Sequence, residues 1–348
     1  MAEVAKAHDA AVSSLGTMGT RQAEMEPRLR KLPSKATHLV VGDEAGPWGD
    51  GLSRDLTPQG QVGWVVAPSR LPNKAGDRVQ TARRDARPLA RRRRAGDLSP
   101  GDVPQVEDEA SRDRTRARAA AIRERKTAKV RLNAVRRRHD RRSTGRAAWG
   151  PAPLRWRSEV VCPTPAPPMV FQADVRAGPA PPARLPRLEQ ARQDHVHTWR
   201  RQPVVEALQA VRGVQCTVAV TLVAALGDLS RFDHPRQLMT SLGRSPSASS
   251  SGARRRQGAS TTAGQTPARR ARLAGAWAYR SPATVSRHVQ RRLAQLPKPL
   301  PDRRWKAQGR RCQRDHHRMA RGQHANQVVV ASARELVGCL WAMATHVP

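Results

Sequence analysis

The chain has 348 residues, with 64 Lys and Arg against 28 Asp and Glu, a formal net charge of +36. A balance this basic excludes the surface chemistry of an ordinary metabolic enzyme and points to a polyanionic partner, nucleic acid first. With 38% hydrophobic residues but only 3% aromatics, the chain can bury a core over part of its length and not over all of it; the length itself suggests two domains.

The N-terminal residues, MAEVAKAHDAAVSSLG, contain no apolar stretch of the kind a secretory signal needs. Residues 37–41 (THLVV) read as a strand closed by Gly42, and residues 62–66 (VGWVV) as a second strand. A short helix at 52–56 between them makes a β-α-β unit with a parallel pair. Residues 77–95 are helical and strongly basic, with Arg83, Arg84, Arg87 and the block 91–94. A second basic stretch at 107–142 has few helix breakers and sparse apolar residues, which predicts a solvated basic helix rather than a coiled-coil seam. Repeated prolines over 150–187 predict a loop or broken linker.

From about 203 onward the text is richer in helical periodicity. Residues 204–213 form a helix stopped at Gly213, and 216–226 restart as a nearly all-apolar helix ending at Gly227-Asp228. The longest apolar run, 214–226, is shorter than the roughly 20 residues that span a bilayer. A third helix starts near Pro235, a Gly/Ser-rich loop covers 243–264, and amphipathic helices follow at 268–279, 283–296, 302–321 and 325–345. Cys162, Cys216, Cys312 and Cys339 contain no C-x-x-C pair, so reduced thiols are expected and a zinc ribbon is not. Cys312, His316 and His317 share one stretch as potential metal ligands, but the run RRCQRDHHRMAR reads better as a basic helix.

Three groups of residues carry chemistry. The turn Gly213-Val214-Gln215 between two helices has the pattern of a helix-hairpin-helix, whose backbone N–H groups face a phosphate; a generic helical hairpin fits equally well. In PSASSSGARRR, Ser251 precedes Gly252 and is followed by Arg254, Arg255 and Arg256. A hydroxyl beside guanidinium groups is suited to attack a phosphodiester, while a Ser-rich loop without chemistry is the simpler alternative. Glu44 at a strand end and Asp85 on the basic helix are the carboxylates of a hard-cation site; Ala82, one turn before Asp85, stands where a further carboxylate would help.

Taken together, these words resemble the transposases of the Insertion Sequence 110 family, the group that also contains insertion sequences 116 and 902. The resemblance is carried by VVEALQAVRGV, AVTLVAALGDLSRFDHPRQLMTSLG, SSGARRRQG, ARRARLAGAWAYRSPATVSRHVQRR, WKAQ and HANQVVVASARELVG in order, and by DEAGP and VPQVEDEASRD nearer the N-terminus. It implies an α/β plus all-α fold: an RNase H-like, Holliday-junction-resolvase-like domain with an Asp-Glu-Asp-Asp metal site over 1–105, a basic helical and Pro-rich linker over 106–202, and a helical transposase domain over 203–348. It further implies DNA transposition guided by an element-encoded structured RNA, DNA and that guide RNA as partners, Mg2+ as cofactor, homo-oligomers, and a cytoplasmic, nucleoid-associated setting with no membrane. By position, Glu44 and Asp85 match metal-site carboxylates and Ser251 the catalytic serine.

The departures are equally specific. The first Asp of the family's D-R-R-D-A word is Ala82, and no G-I-D-type strand word is present, Asp9 being the nearby carboxylate. The resemblance thus implies a degenerate copy, with a non-catalytic nucleic-acid-binding remnant or a pseudogene product as alternatives.

Overall fold

The computed structural model describes residues 2–3, 11–14, 24–27, 39–46, 49–67, 82–138, 184–243, 246–252, 254–261, 264–294 and 299–347. The chain divides into two compact units, Met1–Gln105 and Val106–Pro348. Helices dominate, with a few short strands.

In the first unit, β1 (Ala2–Glu3) pairs antiparallel with β2 (Ser13–Ser14). The expected β-α-β unit follows as β3 (Val40–Glu44), α1 (Gly49–Leu56) and β4 (Val62–Val66). The two longer strands run parallel, with Val40 opposite Val62 and Glu44 opposite Val66. Strand β3 therefore starts and ends later than its apolar run suggests, and Gly42 lies inside it rather than closing it. Pairing with β4 carries Gly42, Asp43 and Glu44 into the ladder, where tertiary context overrides local propensity. Helix α1 is held to β4 by Ser53, whose Oγ donates to the Gly63 carbonyl at 3.0 Å. Leu56, Val65 and Val66 are buried, with Met25 against Leu56. Helix α2 (Ala82–Ala95) has Pro88 inside it, and its Arg93 guanidinium lies 3.7 Å over the ring of Trp64 on β4.

The second unit begins with α3 (Val106–Arg138) and α4 (Arg184–Thr198), then α5 (Gln202–Gln209), α6 (Cys216–Leu226) and α7 (Pro235–Ser241). A hairpin of β5 (Pro246–Ser251) and β6 (Arg254–Ser260) precedes α8 (Thr266–Ala276) and a 3-10 turn at Trp277–Arg280. The chain ends in α9 (Arg287–Leu293), α10 (Pro299–Ala320) and α11 (Ala325–Ala344). Val205, Leu208, Leu222, Val223, Leu226, Leu336, Val337 and Leu340 belong to one continuous core. Helix α6 needs no polar face because it packs on α3, α5 and α8. Helix α11 is long and apolar enough to cross a membrane by length and composition alone; half of its apolar stretch is buried, and it packs on α5, α7, α8 and α10.

Two expectations are corrected here. The first half of α3 is not a free basic helix, since it docks on α4 and α6. Asp108 is its anchor: the Trp199 Nε1 donates to Asp108 Oδ1 at 2.9 Å, Arg200 pairs with Oδ2, and Arg201 Nε lies 3.5 Å from Oδ2. Arg112 Nε donates to the Ala224 carbonyl at 2.7 Å, Ser111 Oγ hydrogen-bonds His195 Nε2 at 2.7 Å, and Arg118 pairs with Glu189 at 2.8 Å. Beyond Ala121 the exposed run 123–127 keeps the solvated character the sequence suggests. The expected Pro-rich loop lies outside the described residues as far as 183, and its last residues open α4. Pro186 is tolerated there because the first-turn N–H groups of a helix have no intrahelical acceptor.

Candidate active site and nucleic-acid interface

The stretch expected to be a Gly/Ser loop is a two-stranded antiparallel hairpin, and this places Ser251. Ser251 pairs with Arg254, Ser250 with Arg255, Ser249 with Arg256, and Ala248 with Gln257. The turn is a two-residue connection in which Gly252 has φ +56, the left-handed value that the primed hairpin turns need at their first central residue. Side chains alternate faces along a strand, so Ser251 shares a face with Arg254 directly opposite and with Arg256 diagonally. Ser251, Arg254 and Arg256 are all exposed. Arg255 stands opposite Ser250 in the register, and its side chain lies outside the described residues.

The carboxylates belong to the other unit. Glu44 is the last residue of β3, half-buried, opposite Val66. Ala82 and Asp85 sit one turn apart at the start of α2, with the side chain of Asp85 outside the described residues, as is Asp9 altogether. Among the described residues no group of three His, Cys, Asp or Glu side chains is placed to hold a metal ion. Mg2+ needs several oxygen ligands to replace its hydration, and Ala82 contributes none. On α10 Cys312 is buried, and His316 Nε2 donates to the Arg280 carbonyl at 2.9 Å.

The comparisons with known proteins converge on one group. The family model described as Transposase IS116/IS110/IS902 family matches residues 205–290. A protein of Sinorhizobium fredii (strain NBRC 101917 / NGR234) named "Putative transposase y4qE" is 36% identical over 329 residues, covering 94% of this chain and 81% of that one. The chain belongs to the IS116/IS110/IS902 transposase family. The matched segment of this transposase chain runs from α5 through the Ser251 hairpin to α9, so the hairpin lies within it.

Within that segment the helix–turn–helix at Gly213 has an interior role. Gly213 has φ +78, and a Cβ there would stand 2.1 Å from the Gly275 carbonyl oxygen of α8. Its missing side chain is used for backbone contact with α8 rather than for a phosphate on that side. Val214 is buried, and its N–H donates to the Val211 carbonyl at 3.0 Å. Gly213 and Val214 thus form a packing joint, and among the candidate residues Arg254 and Arg256 of the hairpin are the exposed cations.

Sequence reasoning passed over Asp43. It lies beside Glu44 on β3, and burial pushes its carboxyl above the usual range, against the lowering effect of its backbone hydrogen bond at Glu44. Neighbours on a strand face opposite sides, so Asp43 and Glu44 do not serve one site. The signal available in sequence was a carboxylate one step inside a strand end, visible only once the strand is known to reach residue 44.

Proposed function

We propose that this transposase is a DNA recombinase by design, with Ser251 as nucleophile, and that its present form binds nucleic acid but cleaves strands weakly or not at all. The single observation that carries the chemistry is the hairpin register, which aligns Ser251 with Arg254 and Arg256 on one exposed face. Ser251 Oγ attacks a backbone phosphorus, its proton passing to water. The P–O bond to the leaving sugar oxygen breaks, and that oxygen takes up a proton, leaving a phosphoserine ester. Arg254 and Arg256 neutralise the non-bridging oxygens as negative charge builds on them. In this reading the first unit is an RNase H-like domain in which Glu44 and Asp85 remain of a four-carboxylate site; a structured guide RNA selects the DNA; and the chain acts as a homo-oligomer.

The impairment follows from the donor set. With Ala82 in place of a carboxylate, Ser251 and two arginines supply charge stabilisation only at one end of the scissile bond. The test is a recombination assay with a relative's guide RNA and target DNA. It compares the chain, a repair combining Ala82→Asp with a family-like N-terminal strand, and that repair carrying Ser251→Ala. The unaltered chain is expected to give little product, the repair more, and the serine variant none. Robust product from the unaltered chain overturns the impairment; product from the Ser251→Ala repair overturns the nucleophile.

A further inference from the structure

We propose that a cleft between α10 and the segment 280–286 holds one unpaired nucleotide of a single-stranded nucleic acid, its base stacked on Trp305 and its flanking phosphates held by Lys306 and Arg310. The cleft has a volume of about 570 Å3, and Pro282, Ala283, Trp305, Gly309, Cys312 and His316 are among its lining residues. That size lies within the ordinary range for small-ligand sites.

The helix builds the site by its period. Trp305, Gly309, Cys312 and His316 follow one another at the spacing of one face, and Lys306, Arg310 and Gln313 form the adjoining stripe. Trp305 is 48% exposed, an aromatic surface left in water beside two exposed cations. No carboxylate lines the cleft among the described residues. Gly309 leaves the floor open, since a Cβ there meets nothing within 4 Å.

Both walls are held from behind, so the opening is built in rather than left by loose packing. The adjoining face of α10 is buried at Arg304, Gln308, Arg311 and Asp315. Gln308 Nε2 donates to the Thr284 carbonyl at 2.8 Å, and Arg212 donates to the Pro282 carbonyl. Arg311 Nη2 donates to the Tyr279 hydroxyl at 3.1 Å, and that hydroxyl donates to the Arg212 carbonyl at 3.1 Å.

A flat apolar wall with a cationic rim matches a nucleobase between two phosphates. In a duplex both base faces are already covered, so only an unpaired nucleotide offers its ring to Trp305. The inference rests on the proposed recombinase reading only in taking nucleic acid as partner.

The test is equilibrium binding of the full chain to a short oligothymidylate, a short oligouridylate and a DNA duplex, repeated with Trp305→Ala, Trp305→Phe and Gly309→Leu. Trp305→Ala is expected to weaken single-strand binding about 5- to 150-fold, the range for losing one base–aromatic stack. Trp305→Phe keeps most of the affinity, Gly309→Leu weakens it by filling the cleft, and duplex affinity stays the same in all three. The two oligonucleotides decide between DNA and RNA as the source of the nucleotide. Unchanged single-strand affinity in both Trp305→Ala and Gly309→Leu overturns the assignment while leaving the recombinase reading intact. Absence of salt-sensitive binding to every probe by the unaltered chain overturns that reading as well. Displacement of the oligonucleotide by polyglutamate at equal charge concentration overturns the nucleotide in favour of an acidic peptide.

Discussion

The two units of the chain bury their side chains in different ways. In Val106–Pro348, α5, α6, α8 and α11 share one core that includes Leu208, Leu222, Leu336 and Leu340. In Met1–Gln105 the longer described sheet has two strands, and among the described residues few apolar side chains are buried, Leu56, Val65 and Val66 among them. A core spread over many side chains absorbs scattered substitutions, whereas a metal site depends on each of its few carboxylates. On the proposed reading, the carboxylate missing at Ala82 costs chemistry without costing the fold of the second unit. The comparison breaks most directly at Leu336, which is fully buried on α11. Leu336→Ala is expected to lower the stability of the second unit by about 2–5 kcal/mol. Denaturant unfolding followed by hydrogen exchange should show the loss on α6, α8 and α11 with β3 and β4 unaffected; equal losses in both units would mean that they unfold as one.

How much of this was legible in the sequence differs with the kind of signal. Helix α6 has the bounds its apolar run and Gly227-Asp228 suggest, because an uninterrupted apolar segment with a stop fixes both length and burial. The β-α-β unit was legible for the same reason, but the end of β3 was not, since Asp43 and Glu44 join the ladder only through β4. The hairpin at 246–260 was missed because its strands lack the apolar alternation that marks a half-buried strand. Its sequence order showed that Ser251 and the arginines are close, but only the register shows which of them share a face. The docking of α3 was equally hidden, because the partners of Asp108 lie 91 and 92 positions away.

Gly213 sharpens the contrast between packing and function within the second unit. Gly213→Ala places a Cβ 2.1 Å from the Gly275 oxygen at a residue with φ +78. Strain of this kind costs about 1–3 kcal/mol. The expected result is a lowered Tm with salt-dependent DNA binding retained at temperatures where the variant is folded. A variant with normal Tm and lost DNA binding would return Gly213 to the nucleic-acid interface. Gly309 is the internal control, since its site on α10 is open and Gly309→Ala should gain about 0.5–1 kcal/mol from helix propensity.

Two buried carboxylates of the second unit respond to pH in opposite directions. Burial raises Asp108, but the hydrogen bonds from Arg200 and Trp199 outweigh it and hold the carboxyl below the usual range. Its stabilisation is present above the unfolded value of about 3.9 and is lost as pH falls through the lower folded value. Asp315 is pushed up by burial, which outweighs the bond from Ser332, so its contribution is lost as pH rises through the folded value. Asp108→Asn is expected to cost about 1–2 kcal/mol at neutral pH and progressively less below pH of about 4, measured by urea unfolding across pH. Asp315→Asn keeps an acceptor for Ser332 and should stabilise at neutral pH. A pH-independent cost for Asp108→Asn would show that its charge does not anchor α3.

The smallest expected effect lies in the first unit, where a cation–ring contact helps tie α2 to the sheet. Arg93 lies 3.7 Å over the Trp64 ring, and both are half-buried, so the guanidinium has lost part of its water and gains more from the ring than it would at the surface. Arg93 also lies in the last turn of α2, where a cation is favoured by the helix dipole. Arg93→Ala is expected to cost about 0.5–1 kcal/mol, read as faster hydrogen exchange along β4. Arg93→Lys should recover part of that loss, since an ammonium attracts the ring but stacks on it poorly. Exchange on β4 that is unchanged in Arg93→Ala would mean that Trp64 is held by the strand alone. Arg93 would then be available to nucleic acid, and DNA binding by the Arg93→Ala variant would fall with a shallower dependence on salt.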